Sequence, residues 1–242
     1  MSRVEHLAEG VRFHFGSCDP SEAWPLIRDH HYSGRMPSNI QHVYCLRTSG
    51  GIFGEHGRVV AACIFSLPPT RWGEEVLELS RLVREPEIIT PLSSLISNSC
   101  KWLRRAKWNL IISFADATHG HHGGVYQAAG WKYAGQRQRS IDGVIWRGSF
   151  VPGRSCNSRW GTRSPSKLTE LLHEQISPHY NDGKHLYWNA IHRSGYSKAK
   201  KLNLIQSAYP KTATRRMDAE ATIFCEPGAT PGGRSKTIDQ DA

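Results

Sequence analysis

The chain has 242 residues, 38% of them hydrophobic, and a chain of this length buries most of its apolar surface without disulfide staples. Wholesale disorder and a small disulfide scaffold are therefore excluded, and the longest apolar run, 59–65, is far shorter than the ~18 residues of a membrane span. The net charge of +10 is uneven: residues 1–150 carry +4, residues 151–216 carry +9 and residues 217–242 carry −3. The basic segment predicts a polyanionic partner, with a merely solvated basic face as the alternative.

The cysteines and the N-terminus bear on the cellular compartment. The six cysteines include no CxxC pair, which disfavours a zinc knuckle, and Cys45, Cys63 and Cys100 lie in apolar segments typical of small buried residues. The first ten residues lack the apolar stretch of a secretory signal. We therefore expect reduced thiols, no membrane association and a cytoplasmic protein.

The first half of the chain predicts strands interrupted by two helices. Strands are expected at 11–15, 43–48, 59–67, 76–83 and 110–115, and helices at about 21–31 and from Thr90-Pro91 to about 107. Asp19-Pro20 supplies an N-cap and a first helical proline for the earlier helix. The run 110–115 is continuously apolar, as for a strand covered on both faces, and Asp116 follows it.

The second half predicts shorter elements. We expect a short helix at 125–129 closed by Gly130, strands at 131–134 and 144–150, a loop at 151–165, a helix at 166–176, a strand at 185–191 and a basic helix at 197–206. The order predicts an α/β fold with a mixed sheet and a parallel crossover between 76–83 and 109–115, which places ligands at the carboxyl ends of the strands. We divide the chain into a core of residues 1–150, a basic segment of residues 151–216 that completes the core and binds nucleic acid, and a disordered tail of residues 217–242.

The densest group of reactive side chains follows the buried strand. Asp116 is a candidate base, His119, His121 and His122 are candidate acid-base groups, and Tyr126 is a candidate proton donor. Gly123-Gly124 would let the backbone approach a ligand. Two alternatives stay open: Asp116 caps the following turn, or a divalent metal is held by Asp116, His119, His121 and Tyr126.

Two further groups stand out. His31 and Tyr32 lie at the end of the first helix, where they could grip a flat base, although histidines there also suit the helix dipole. Glu78, Ser80 and Arg81 interrupt an apolar strand, and strict alternation places Glu78 and Arg81 on opposite faces, so that each needs its own partner or ligand. A purely structural role is the alternative.

The basic segment supplies the predicted phosphate contacts. Affinity carried by such contacts falls steeply with salt. The candidates are Arg154, Arg159, Arg163, Lys184, Arg193, Lys198, Lys200, Lys201 and Lys211.

Several short motifs agree in order with one family. HYSGRMP, VYCLR, VVAACIFSLPP, ELSRLV, ISFADATHGHHGGVYQAAGWKYAG, KHLYWNAIH and YPK resemble the Mom DNA-modification proteins of Mu-like phages over about residues 11–211. That resemblance implies a GNAT-like mixed, mostly antiparallel sheet flanked by helices, with a basic C-terminal extension. It also implies conversion of adenine in double-stranded DNA to N6-carbamoylmethyladenine in the infected bacterial host, which shields phage DNA from restriction. The positions carried over are His31, Tyr32, Arg81, Ser113, Asp116 and Tyr126.

The chain differs from the wider GNAT superfamily in the segment that would bind the group donor. Those enzymes hold the coenzyme A diphosphate with a glycine-containing loop at a helix N-terminus, whereas here no glycine occurs from Glu74 to His119. Acetyl-CoA is therefore disfavoured, and glycyl-tRNA is the expected donor, because the product contains the atoms of glycine. Tyr126 or His121 would protonate the leaving hydroxyl and Arg81 would steady the oxyanion. The alternatives are an acyltransferase acting on a small molecule and a non-catalytic nucleic-acid-binding protein.

Overall fold

The structure, a computed structural model, describes residues 4–6, 12–49 and 57–210. The predicted tail at 217–242 and Lys211 lie outside these residues. The eleven strands within the described ranges are β1 (Val4–His6), β2 (Arg12–Ser17), β3 (Ile40–Thr48), β4 (Val59–Ser66), β5 (Val76–Arg84), β6 (Leu110–Asp116), β7 (Lys132–Gln136), β8 (Ser140–Trp146), β9 (Ser149–Pro152), β10 (Ser177–Asn181) and β11 (Lys184–Ala190).

The described residues contain six α-helices. They are α1 (Pro20–His30), α2 (Leu92–Leu103), α3 (Gly124–Ala128), α4 (Gly153–Trp160), α5 (Pro165–Leu172) and α6 (Arg193–Lys201). Asp19 is the N-cap of α1 as expected, and its backbone N–H donates to Glu22 Oε1 over 3.0 Å. Helix α2 ends four residues before the expected Lys107, and α6 begins four residues before the expected Ser197.

The main sheet has eight strands in the order β1-β2-β3-β4-β5-β6-β11-β7. Every neighbouring pair is antiparallel except β5 and β6, which are parallel and joined by α2, so the predicted crossover is confirmed. Helix α1 packs against β3, β4 and β5, α2 lies on the opposite face with α3 beside it, and α6 packs against β6 and β11. The predicted fold class, a mixed and mostly antiparallel sheet flanked by helices, is confirmed.

Burial follows the sequence pattern along the central strands. The core on the α2 face contains Cys63, Leu79 and Ile111, and the core under α1 contains Cys45 and Ile64. The three cysteines expected to be buried, Cys45, Cys63 and Cys100, are at most 8% exposed. Burial of continuous apolar strands on both sides provides the main stabilisation of such a sheet.

A second sheet of three strands, in the order β10-β8-β9, corrects three predictions for the middle of the chain. The expected single strand 144–150 is a hairpin, because Arg147 (φ 49°) and Gly148 (φ 75°) form a tight turn between β8 and β9. The expected loop 151–165 contains α4, and the expected helix 166–176 ends at Leu172 and is followed by β10. The boundary drawn at residue 150 divides β9.

Strand β11 links the basic segment to the main sheet. It lies between β6 and β7 and pairs with both, so residues beyond 151 contribute an internal strand of the core. Its side chains Leu186, Tyr187 and Trp188 are at most 4% exposed.

Candidate functional site

The candidate site begins where β5 and β6 separate. The two strands pair only between Val76–Glu78 and Leu110–Ile112, and beyond this point they diverge. We call the gap between residues 79–84 of β5 and residues 113–116 of β6 the wedge. At the narrow end of the wedge, Ser113 Oγ on β6 donates a hydrogen bond to Leu79 O on β5 over 2.8 Å.

A β-bulge at Ser80 decides which face of the sheet Arg81 occupies. Ile64 on β4 pairs with Arg81 while the next residue, Phe65, pairs with Leu79, so Ser80 is the extra residue. The alternation is thereby reversed after Ser80, and Arg81 lies on the α1 face with Glu78. The prediction that Glu78 and Arg81 face opposite sides of the sheet is therefore wrong.

The Arg81 guanidinium ties the loop after α1 to β5. Its Nε donates to Arg35 O over 2.9 Å and its Nη1 donates to Ser80 O over 2.7 Å. These charge-assisted bonds hold the loop 31–37 beside the wedge.

That loop brings His31 and Tyr32 to the residues that follow β6. The Tyr32 ring lies 4.4 Å from the His31 ring, 4.4 Å from the His119 ring and 5.8 Å from the His121 ring, measured between centroids. Tyr32 keeps 41% of its surface exposed, and desolvation among these rings raises the pKa of its phenol. Four of the predicted residues thus form one aromatic cluster, which we call the Tyr32 cluster.

His31 is neutral in this cluster. Burial, followed by the charge of Arg81 and the neighbouring imidazoles, lowers the pKa of His31 to about 3. Its Nδ1 accepts the Ser33 backbone N–H over 3.1 Å, so the neutral ring carries its hydrogen on Nε2.

Ser113 and Tyr126 lie on the opposite, α2 face of the wedge. Tyr126 Oη is 2.8 Å from Ser113 Oγ, and both residues are buried. The serine has a single hydrogen, which goes to the carbonyl of Leu79 because a carbonyl can only accept, so the Tyr126 phenol donates to Ser113. Burial raises the pKa of Tyr126, and the phenol retains its proton.

Asp116 at the carboxyl end of β6 has two partners. Its Oδ1 accepts the Thr118 N–H over 3.1 Å, which caps a short 3₁₀ turn, and its Oδ2 lies 3.0 Å from Lys184 Nζ. Burial alone would raise the pKa of Asp116, but the Lys184 ammonium and the Thr118 hydrogen bonds outweigh it and lower the pKa. Asp116 therefore caps the turn, as the capping alternative expects, and the ammonium of Lys184, a predicted phosphate contact, is paired with Asp116.

The predicted metal ligands are not brought together. Asp116 is paired with Lys184, Tyr126 is bonded to Ser113, and His119 and His121 pack on Tyr32. Within residues 4–6, 12–49 and 57–210 no group of three His, Cys, Asp or Glu side chains could hold a metal ion. In this arrangement the four residues of the metal alternative do not converge on one point.

The β5–α2 connection does not fit a coenzyme A diphosphate. Pro91 is the N-cap of α2 and has no N–H to offer, and Arg84 Nη1 donates to Thr90 O over 2.5 Å. The Glu85 carboxylate, which would repel phosphate, forms an ion pair with Arg58.

The sequence does not predict the residues that hold the loop 119–123, which contains three histidines, in place. The Tyr187 hydroxyl donates to His122 O over 2.6 Å and accepts from Gln127 Nε2 over 3.0 Å. Gly123 has φ 78°, and a Cβ there would lie 2.2 Å from the Tyr187 ring. The space beside Gly123 is therefore filled by the Tyr187 ring, whereas the sequence predicts a ligand there. No local pattern could reveal this, because the partners come from distant segments.

The family model of the Mom protein family matches residues 12–211. The chain belongs to the Mom family. No curated protein matches it.

Solved structures similar to this Mom-family protein are GNAT acetyltransferases. The ribosomal-protein-S18-alanine N-acetyltransferase from Escherichia coli is 9% identical, with 74% of this chain and 94% of that chain covered and a TM-score of 0.44. A GNAT family acetyltransferase from Bacillus anthracis is 11% identical, with 79% and 99% covered and a TM-score of 0.44. A Bacillus subtilis acetyltransferase in complex with CoA is 9% identical, with 74% and 98% covered and a TM-score of 0.41.

The predicted phosphate contacts of the Mom-family chain are distributed over several elements. Arg154 and Arg159 belong to α4, Arg163 precedes α5, Lys184 begins β11, and α6 carries Arg193, Lys198, Lys200 and Lys201. Arg159, Arg163, Arg193, Lys200 and Lys201 are exposed, and Lys198 is half-buried. No helix among the described residues combines the length and apolar character that crossing a membrane requires.

Proposed function

We propose that this Mom-family protein is a transferase that converts adenine in double-stranded DNA to N6-carbamoylmethyladenine in the cytoplasm of the infected host, and so protects phage DNA from restriction. The observation that carries the proposal is the Tyr32 cluster beside the wedge, because it gathers His31, Tyr32, His119 and His121 from two distant loops. A partly exposed ring within a ring cluster is suited to stacking on a flat base.

The target adenine must leave the duplex, since its N6 lies inside the base stack. In our proposal Tyr32 stacks on the extruded base, and the exposed lysines of α6 contact the DNA phosphates. Asp116, held ionised by Lys184, accepts a hydrogen bond from the N6 amino group and orients it. The Asp116–Lys184 pair would therefore act as an orienting device, because a carboxylate with a lowered pKa is a weak base.

The proposed donor is glycyl-tRNA. The N6 nitrogen forms a bond to the ester carbonyl carbon, the ester C–O bond breaks, and the tRNA ribose hydroxyl leaves with a proton. In our proposal His121 takes up the proton that N6 loses as the amide forms and passes it to the departing ribose oxygen, since the Tyr126 hydrogen is directed to Ser113. Arg81, on the same face as His31, steadies the oxyanion.

The second step rearranges the glycyl group. Its amine forms a bond to C6 in a five-membered ring, the original C6–N6 bond breaks, one proton passes from the glycyl nitrogen to N6, and N6 becomes the terminal amide. The product contains every atom of the two reactants except the departed tRNA, and no oxidant is required.

Nucleoside mass spectrometry of DNA from expressing cells tests the function. We expect the modified adenine with the wild type, none with Asp116→Asn, and wild-type amounts with Asp182→Asn, an exposed aspartate that serves as the matched control. Unmodified DNA in wild-type cells would instead favour a non-catalytic nucleic-acid-binding protein.

Labelling with ¹⁵N-glycine tests the donor. The label should appear on the nitrogen attached to the purine ring, and the adenine N6 should become the terminal amide. Label in the terminal amide alone would exclude the rearrangement, and modification in a purified system without charged tRNA would exclude the donor.

A further inference from the structure

A cleft of about 460 Å³ is lined by none of the predicted site residues. It lies where three parts of the chain meet: a 3₁₀ turn before β5 (Thr70–Trp72), the connection between β7 and β8, and the end of α6. The residues that line it are Arg71, Trp72, Arg137, Ser140 and Leu202. We call it the arginine cleft.

The lining of the cleft combines a packed apolar part with an exposed polar part. Trp72 is buried and packs in the same hydrophobic cluster as Leu202. The Arg71 Cζ atom lies 5.7 Å from the centroid of the Trp72 ring, a cation–π contact that holds the guanidinium beside the cleft. Arg71, Arg137 and Ser140 are exposed, so the cleft is open to solvent.

The charge of the cleft is positive. No acidic side chain of the described residues lines it, and within residues 4–6, 12–49 and 57–210 neither guanidinium is paired with a carboxylate. A third cation lies nearby, since a Cβ at Gly73, the residue after Trp72, would be 3.1 Å from Lys198 Nζ. The planar donors of a guanidinium match the oxygens of a phosphate group. This arrangement therefore suits a phosphate ligand.

The cleft adjoins the Asp116–Lys184 pair. The Arg137 backbone N–H donates to Lys184 O over 2.8 Å, and Lys184 Nζ lies 3.0 Å from Asp116 Oδ2. The Trp72 ring packs 6.1 Å from the Phe114 ring, measured between centroids. Phe114 precedes Asp116 by two residues on β6 and so shares its face of the sheet. A ligand in the cleft is therefore a neighbour of the group proposed to orient the adenine.

We propose that the arginine cleft binds the phosphate backbone of the DNA strand that carries the target adenine. An extruded nucleotide stays joined to the strand through its own phosphates, so these phosphates lie close to the pocket that receives the base. An open cleft admits a polymer, whereas a small ligand is normally enclosed. The inference rests on the proposed function for the choice of DNA, and it assigns phosphate binding to Arg71 and Arg137, which lie outside the basic segment.

Fluorescence anisotropy with the full-length protein tests this binding without any transfer step. The probes are a short duplex DNA and a single-stranded RNA of the same sequence, each titrated at several salt concentrations. We expect Arg71→Gln and Arg137→Gln each to weaken duplex-DNA binding about 10-fold, and to reduce the slope of log Kd against log salt concentration by about one, since each phosphate contact releases about one counterion.

Two kinds of control separate a phosphate contact from other effects. Arg105→Gln removes the same charge from an exposed residue just after α2, which packs on the opposite face of the sheet, and it should leave affinity and slope unchanged. Arg71→Lys and Arg137→Lys keep the charge without the planar fork. They should retain the wild-type slope and lose less affinity than the glutamine variants, which distinguishes a lost contact from misfolding.

Three results would overturn the proposal. The first is wild-type affinity and slope for duplex DNA in both glutamine variants, and the second is an equal loss in Arg105→Gln, which would indicate general electrostatic attraction. The third is a loss confined to the RNA probe, which would assign the cleft to the donor. Nucleoside mass spectrometry measures adenine modification separately, so failure here and failure of the proposed function are distinguishable.

Discussion

The wedge and the β8–β9 hairpin both contain packed aromatic rings, but the rings are used differently. Beside the wedge, Tyr32 packs on imidazoles, and Tyr126 is buried and hydrogen-bonded to Ser113. On the hairpin, Phe150 packs against Gly143 with 47% of its surface exposed. The residues around the wedge therefore hold a fixed arrangement of polar groups, whereas the hairpin ring is largely open to solvent.

The two regions also differ in how they are assembled. The wedge collects Arg81, Ser113, Asp116 and Lys184 from three strands of the main sheet, with Tyr32 from a separate loop. The β8–β9 hairpin consists of two strands that are adjacent along the chain. A long-range site is sensitive to single changes because each member positions another.

The largest loss of DNA modification is expected from a change at Tyr32. Tyr32→Ala removes the ring that the proposal stacks on the adenine and should reduce DNA modification by about 100-fold or more, since a mispositioned reactant forfeits most of the proximity effect. Tyr32→Phe keeps the ring and should retain most activity. Nucleoside mass spectrometry measures both. Full activity of Tyr32→Ala, at normal DNA binding, would remove this loop from the site.

The next prediction compares the free energies of unfolding of a buried and an exposed variant. Ser113→Ala leaves the buried Tyr126 hydroxyl and the Leu79 carbonyl without their shared partner, which should lower the free energy of unfolding by about 1–3 kcal/mol. Tyr180→Phe, at an exposed position of β10, should change it by less than about 0.5 kcal/mol. Urea denaturation of the two variants provides the comparison, and equal losses would refute it.

The smallest effect, counted per pH unit, is a pH dependence that originates in the Tyr32 cluster. The folded-state pKa of His31, about 3, is below the unfolded value of 6.5, so as pH falls through 6.5 the unfolded chain takes up a proton that the folded chain does not. Stability therefore decreases between pH 6.5 and 3, by at most about 1.4 kcal/mol per pH unit from this residue. His31→Gln should flatten the slope by up to that amount and leave it unchanged above pH 7. An identical slope in both proteins, from thermal or urea unfolding at several pH values, would contradict the buried neutral imidazole.

Local signals were sufficient for much of the fold. The Asp19-Pro20 cap, the apolar run 110–115 and Gly130 each identify an element from neighbouring residues alone. The β8–β9 turn was missed because Arg147 adopts φ 49° without being glycine, asparagine or aspartate. Helix α4 was missed because Pro152 and Gly153 suggest a loop.

The site could be predicted only in part. The sequence identified Tyr32 and Asp116, but strict alternation gave the wrong face for Arg81, since nothing local marks Ser80 as a bulge. The pairing of Asp116 with Lys184 depends on β11 lying beside β6, a long-range arrangement that composition cannot reveal. Lys184 was therefore grouped with the surface lysines.

The position of β11 also sets the order in which the protein can be completed during synthesis. A nascent chain that ends before Lys184 has β6 and β7 without the strand that separates them, and their edges are open to pairing with other chains. Pairings between distant segments form slowly, so we expect closure of this sheet to be a late event in folding. Asp116 acquires its ammonium partner in the same event, and a chain released early from the ribosome is an aggregation-prone fragment with an incomplete site.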